Sequence, residues 1–216
     1  MPKVEEIGSN FLAENLYMPH AEFPELKKVG SGFLAKNERL VELNVPKLSV
    51  IMHNFLYENE NLEKLELPNV EYIGDDFLKR NIELNSLTVP KLEKVGNEFL
   101  LNNKDLLSLD VPNLKRVGYS FLWNNDFLSE LNAPNLEFVG EDFLWSNDAI
   151  RDLELPNLRI ARAGFLKWNE SLLYFHSPKL EDIDEGFLGH HKKEFKIFEA
   201  PNIKWEHSDE DDDALE

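Results

Sequence analysis

Apolar and polar positions repeat along this chain with a period of 22 residues. Phenylalanine marks the beat at Phe11, Phe33, Phe55, Phe77, Phe99, Phe121, Phe143, Phe165 and Phe187, and leucine follows it each time. Proline keeps the same interval from Pro2 through Pro24 and Pro46 to Pro178. A fixed period in this range is the signature of a solenoid, whose units cannot bury an apolar face alone and must stack.

The columns around each proline predict the elements. Apolar residues stand three and one before it, as in Leu65 and Leu67 before Pro68, which is the period of a strand with one buried face. A short strand therefore ends at each proline, which cannot donate to a further rung. Apolar residues recur two and five beyond the proline, as Val70 and Ile73. Glycine comes next in most units (Gly8, Gly30, Gly74, Gly96, Gly118, Gly140), where a turn conformation closed to other residues is expected. Met52, Arg162 and Asp184 interrupt that column. Two polar residues and the Phe-Leu pair follow, a pattern consistent with one or two helical turns. Asparagine closes the unit at Asn15, Asn37, Asn59, Asn81, Asn103, Asn125, Asn147 and Asn169. Its amide satisfies backbone groups at a turn and tolerates the left-handed conformation, so a structural ladder of amides along the rod is expected.

The unit Leu62-Glu63-Lys64-Leu65-Glu66-Leu67-Pro68-Asn69-Val70-Glu71-Tyr72-Ile73-Gly74, with its later aromatic and Asn81, resembles a leucine-rich repeat. It is most similar to the BspA-like class, also called the Treponema pallidum type, in a shorter, 22-residue variant. The resemblance covers residues 1 to about 205. It implies an α/β repeat solenoid: a right-handed rod with a parallel sheet on its concave side, and the short helical turns on its convex side. It also implies a protein-binding role, often at a bacterial or protist surface. At about 4.8 Å per strand, nine rungs give a sheet of roughly 40 Å.

The chain is read as one repeat domain, 1–205, followed by an acidic disordered tail, 206–216. The pattern opens in mid-unit at Pro2, which points to a segment of a longer protein or to a first face covered by another element; the former is favoured. On that reading the absence of a signal peptide says nothing about the parent protein, and a secreted or cell-surface setting follows from the resemblance. After Phe187-Leu188 the pattern decays, as expected of a terminal cap.

Charge narrows the partners. Acidic residues number 41 against 23 Lys and Arg, a net charge of −18. That surface repels phosphate backbones and anionic membranes and favours basic proteins. There is no cysteine, so disulfides and thiolate chemistry are excluded. No transmembrane run, phosphate loop, nucleophile elbow or calcium-loop spacing is present, and no enzyme activity, cofactor or metal is expected. His190-His191 is read as surface histidines in preference to a weak metal site.

Two surfaces are candidates for protein binding. The strand positions two and four before each proline point outward and carry Glu42, Glu66, Asp110, Glu130, Asp152 and Glu154. They form either a face for a basic ligand or a solvated face of an acidic protein. The position two beyond each Phe carries Tyr57, Trp123 and Trp145, with Trp168 one residue further along its own unit. Because the same column accepts Lys79 and Lys167, it is expected to be partly exposed; its tryptophans are either interface anchors or packed on each other. Self-association through an uncovered end or edge is the alternative to a heterologous partner.

Overall fold

The computed structural model describes residues 3–184, 186–190 and 195–203. Each 22-residue unit forms one coil, numbered so that coil 1 carries Phe11 and coil 9 carries Phe187. Every coil contributes two short strands. The strand predicted before each proline is present as β2 (His20–Glu22), β4 (Glu42–Asn44), β6 (Lys64–Glu66), β8 (Ser86–Thr88), β10 (Ser108–Asp110), β12 (Glu130–Asn132), β14 (Asp152–Glu154), β16 (Tyr174–His176) and β18 (Ile197–Glu199). An additional strand, not anticipated from the columns, follows each proline: β1 (Glu6–Ile7), β3 (Lys28–Val29), β5 (Val50–Ile51), β7 (Tyr72–Ile73), β9 (Lys94–Val95), β11 (Arg116–Val117), β13 (Phe138–Val139), β15 (Ile160–Ala161) and β17 (Asp182–Ile183).

All pairing is parallel and, up to β17, in register by one repeat: Glu6 faces Lys28, Ile7 faces Val29, and so on up the rod. This register turns each sequence column into a stacked row. The central residue of most three-residue strands is buried and its neighbours are exposed. The Phe rings form a continuous pile along the axis, with centroids 5.2–6.1 Å apart and planes within 11° of parallel. A single apolar core therefore runs the length of the array.

The expected helical turns are not there: among the described residues no helix occurs. The Phe-Leu segment is a ribbon in which right- and left-handed residues alternate. In coil 3, Asn54, Leu56 and Glu58 have φ of 56°, 53° and 54°; in coil 5, Glu98, Leu100 and Asn102 repeat the pattern. The reason lies in where the amides must go. A helix spends its N–H groups along its own axis, whereas a segment one layer thick between two others must send them up or down. Asn54 N–H donates to Asp75 O (2.8 Å) and Glu58 N–H to Lys79 O (2.9 Å) in the next coil; Leu56 N–H donates to Phe33 O (3.1 Å) in the previous one. Left-handed conformation costs an L-residue about 1–2 kcal/mol. Over the three left-handed residues of a coil this is of the same order as the gain from full burial of Phe55 and Leu56, about 1.5–3 kcal/mol each, so the ribbon forms only where neighbours supply both the burial and the hydrogen bonds.

The asparagine column forms the ladder expected of it, but not as left-handed residues. The interior asparagines are fully buried. Each amide nitrogen donates to the carbonyl of the left-handed leucine in the preceding coil: Asn59 to Leu34, Asn81 to Leu56 and Asn103 to Leu78, all at 2.8 Å.

The glycine column also has a different cause from the one expected. Left-handed φ occurs at Gly32, Gly164 and Gly186, outside that column. Gly118 and Gly140 are instead required by close approach of backbones. A Cβ on Gly118 would lie 2.6 Å from Gly96 O and 2.3 Å from Asn97 Oδ1; one on Gly140 would lie 2.5 Å from Gly118 C. At Gly8, in coil 1, it would meet nothing within 4 Å.

At the C-terminal end β18 pairs with β16 after one extra residue, matching Tyr174 to Ile197. The expected acidic tail at 206–216, together with Pro2 and His191, lies outside the described residues.

The two strand series differ in continuity. The strands after the prolines make one nine-stranded sheet, while those before them make four separate sheets: β2-β4, β6-β8, β10-β12 and β14-β16-β18. Three seams result. Beside the paired strands, Phe23 N–H reaches Asn44 O, Leu67 reaches Thr88 O and Val111 reaches Asn132 O, each at 2.9 Å; the equivalent amides of Val45, Val89 and Ala133, at the seams, make no such bond.

Two outcomes follow. In amide hydrogen exchange followed by NMR, protection in the column before the prolines alternates: Phe23, Leu67 and Val111 exchange slowly and Val45, Val89 and Ala133 faster; uniform protection would remove the seams. Gly118→Ala lowers stability by about 2 kcal/mol or more in urea melts, because backbone must move, whereas Gly8→Ala in the same column is neutral or stabilising by up to about 1 kcal/mol. Equal losses at both sites would restore a conformational role for the column.

Candidate binding surfaces

The face built by the second strand of each coil follows from strand period alone. Burying Leu43, Leu65, Leu109 and Leu153 forces the residues on either side outward. All six acidic residues anticipated there are exposed. Glu42 lies 3.4 Å from His20, and Asp110 accepts a 2.7 Å hydrogen bond from Asn132. Glu66, Glu130, Asp152 and Glu154 make no ion pair among the described residues.

Across β2 to β18 the outward positions hold eight carboxylates (Glu22, Glu42, Glu66, Asp110, Glu130, Asp152, Glu154, Glu199) and one cation, Lys64. The whole chain carries 41 acids to 23 bases, so this face is more acidic than the protein that bears it. The continuous sheet differs: its outward residues include Lys28, Lys94 and Arg116 against Glu6 and Asp182, and they carry aromatic rings. Arg116 stands 4.2 Å from the Phe138 ring centroid and Lys94 5.8 Å from that of Tyr72.

Two grooves lie on the acidic face near its C-terminal end. One, of about 540 Å³, crosses the seam between β12 and β14 beside Glu130, Arg151, Asp152 and Glu154. The other, of about 690 Å³, lies over β14, β16 and β18.

The aromatic positions are divided by the fold. Trp123 and Trp145, half-buried on adjacent coils, contact each other at 5.5 Å between centroids, and Lys167 caps Trp145 at 4.6 Å. Tyr57 shares their column but lies three coils away, beside Lys79. Trp168 stands in the neighbouring column and stacks on His190 at 4.0 Å. Phe127 is 58% exposed.

A polar cluster on coils 4 to 6 carried no signal in the columns, because its members, Asp76 and Glu98, Lys79, and Tyr119, come from three different ones. Lys79 is held by Asp76 at 3.1 Å and by Glu98. Burial opposes the charged lysine, but the bonds to Glu98 and Asp76 prevail and keep its pKa above the ordinary lysine value. The same acids, after burial, push Tyr119 up. Among the described residues no group of three His, Asp or Glu side chains is placed to hold a metal ion.

The model of the BspA type leucine-rich repeat region, present in six copies, matches residues 5–129 and 49–172. A crystal structure of a leucine-rich repeat protein from Bacteroides ovatus aligns with a TM-score of 0.42 and 16% identity, over 76% of this chain and 56% of that one. The chain thus spans little more than half the length of that protein. No curated protein matches. With the matched residues spanning most of the array, the chain belongs to the BspA-type leucine-rich repeat family.

Proposed function

We propose that this protein is a non-catalytic interaction module that binds a basic protein partner through the acidic face of its second strands. The observation that carries the reading is the surplus of carboxylates on that face, eight against one lysine, where packing requires none of them. A rigid row of like charges at strand spacing attracts a cationic partner and orients its approach. The deep, enclosed cleft that catalysis calls for is not among the features supporting the reading; the grooves are surface depressions on a sheet.

A second reading, side-by-side assembly of copies, is favoured by one observation: the continuous sheet presents Lys28, Lys94 and Arg116, opposite in sign to the acidic face. Light scattering separates the two, since assembly gives a mass that rises with concentration and falls with salt.

The primary test is affinity capture from a cognate lysate using wild type, the triple reversal Glu130→Lys, Asp152→Lys and Glu154→Lys, and a control reversal at the exposed Glu71, Glu93 and Glu137. Partners are expected on wild type and on the control, released as ionic strength rises, and lost from the acidic-face variant. Retention by both variants, or binding indifferent to salt, would exclude the acidic face.

A further inference from the structure

In an array of like coils the repeat itself separates what folding needs from what it does not. The first outward position of the second strands is polar from β2 to β14: His20, Glu42, Lys64, Ser86, Ser108, Glu130 and Asp152. At β16 it becomes Tyr174 and at β18 Ile197. Seven coils fold with a polar residue at this point, so packing does not account for the change. Ile197 is left 48% exposed.

The strand register sets these residues side by side. Asp152, Tyr174 and Ile197 form one row, and Glu154, His176 and Glu199 the next, with His176 Nδ1 2.7 Å from Glu199 Oε2. These six bound the groove of about 690 Å³, which is within the range of ligand-binding clefts. The groove combines an apolar strip with the carboxylates of Asp152 and Glu154, which make no ion pair among the described residues. The Tyr174 ring already accepts a cation, since Lys196 Nζ stands 5.7 Å from its centroid.

We propose that this groove binds an extended peptide segment in which an apolar side chain is flanked by lysine or arginine. The apolar side chain rests on Tyr174 and Ile197 and the cations meet Asp152 and Glu154. The proposal rests on the reading of the second-strand face as an interaction surface, and it assigns that face a site and a partner chemistry.

The test is an NMR titration of the full chain with the capped peptide acetyl-Lys-Phe-Lys-Phe-Lys-amide. Two controls replace its phenylalanines by alanine or its lysines by glutamate. Saturable shifts are expected at the amides of Tyr174, His176 and Ile197. Affinity should fall about tenfold in Tyr174→Ser and again in Ile197→Ser. Both substitutions are at outward positions, and unchanged spectra elsewhere confirm that the variants fold. Equal binding of the alanine peptide would reduce the site to charge alone and overturn the proposal, as would equal binding of the glutamate peptide or no saturable shift. Shifts centred on Glu42 and Glu66 would overturn the groove while leaving the acidic face as an interaction surface. Failure of the lysate experiment alone would strike the broader reading instead.

Discussion

The fold depends on the left-handed leucine of each Phe-Leu pair. Its N–H reaches back to the phenylalanine carbonyl of the preceding coil and its own carbonyl receives the asparagine amide of the following one. Leu56 makes both bonds, to Phe33 O at 3.1 Å and from Asn81 Nδ2 at 2.8 Å. One residue thereby ties three coils. Its conformation is unfavourable for an L-amino acid in isolation, so it persists only where both neighbours are present. That makes stacking a requirement of the backbone as well as of the apolar core, and it explains why no unit of this length could fold alone.

Much of this was legible in the sequence. The period, the strand before each proline, the inward leucines and the amide ladder all follow from columns of residue types, because stacking makes each column a physical row. The ribbon was hidden for a specific reason. The sign of φ at Leu56, Glu58 or Arg80 is set by bonds to neighbouring coils, and these residue types carry no left-handed preference of their own. The glycine column misled for the converse reason: Gly118 signals a left-handed turn by type, but it is chosen because Gly96 and Asn97 press on it. The first-series strands are only two residues long, too short for a period to register.

The candidate surfaces divide similarly. Outward placement of Glu42, Glu66, Asp110, Glu130, Asp152 and Glu154 follows from strand period, whereas the lack of ion pairs at Glu66, Glu130, Asp152 and Glu154 among the described residues, and the opposite character of the continuous sheet, emerge only from the folded coils. Ile197 stands four before Pro201 as Tyr174 stands four before Pro178, so counting from the prolines aligns the two, whereas the strict 22-residue period, broken by one extra residue, does not. Trp123 and Trp145 contact each other because their column stacks, and Trp168 does not join them because it stands one column away. In a rod whose packing is repeated coil after coil, such departures from the shared pattern are where function has room to act.

The most direct measurement is the backbone conformation of Leu78, Leu100 and Leu122 in solution, from residual dipolar couplings combined with carbon chemical shifts. Positive φ at all three, with their amides protected from exchange, is the expected result. Negative φ with helical shifts would contradict the alternating ribbon and, with it, the three-coil tie on which the stack is built.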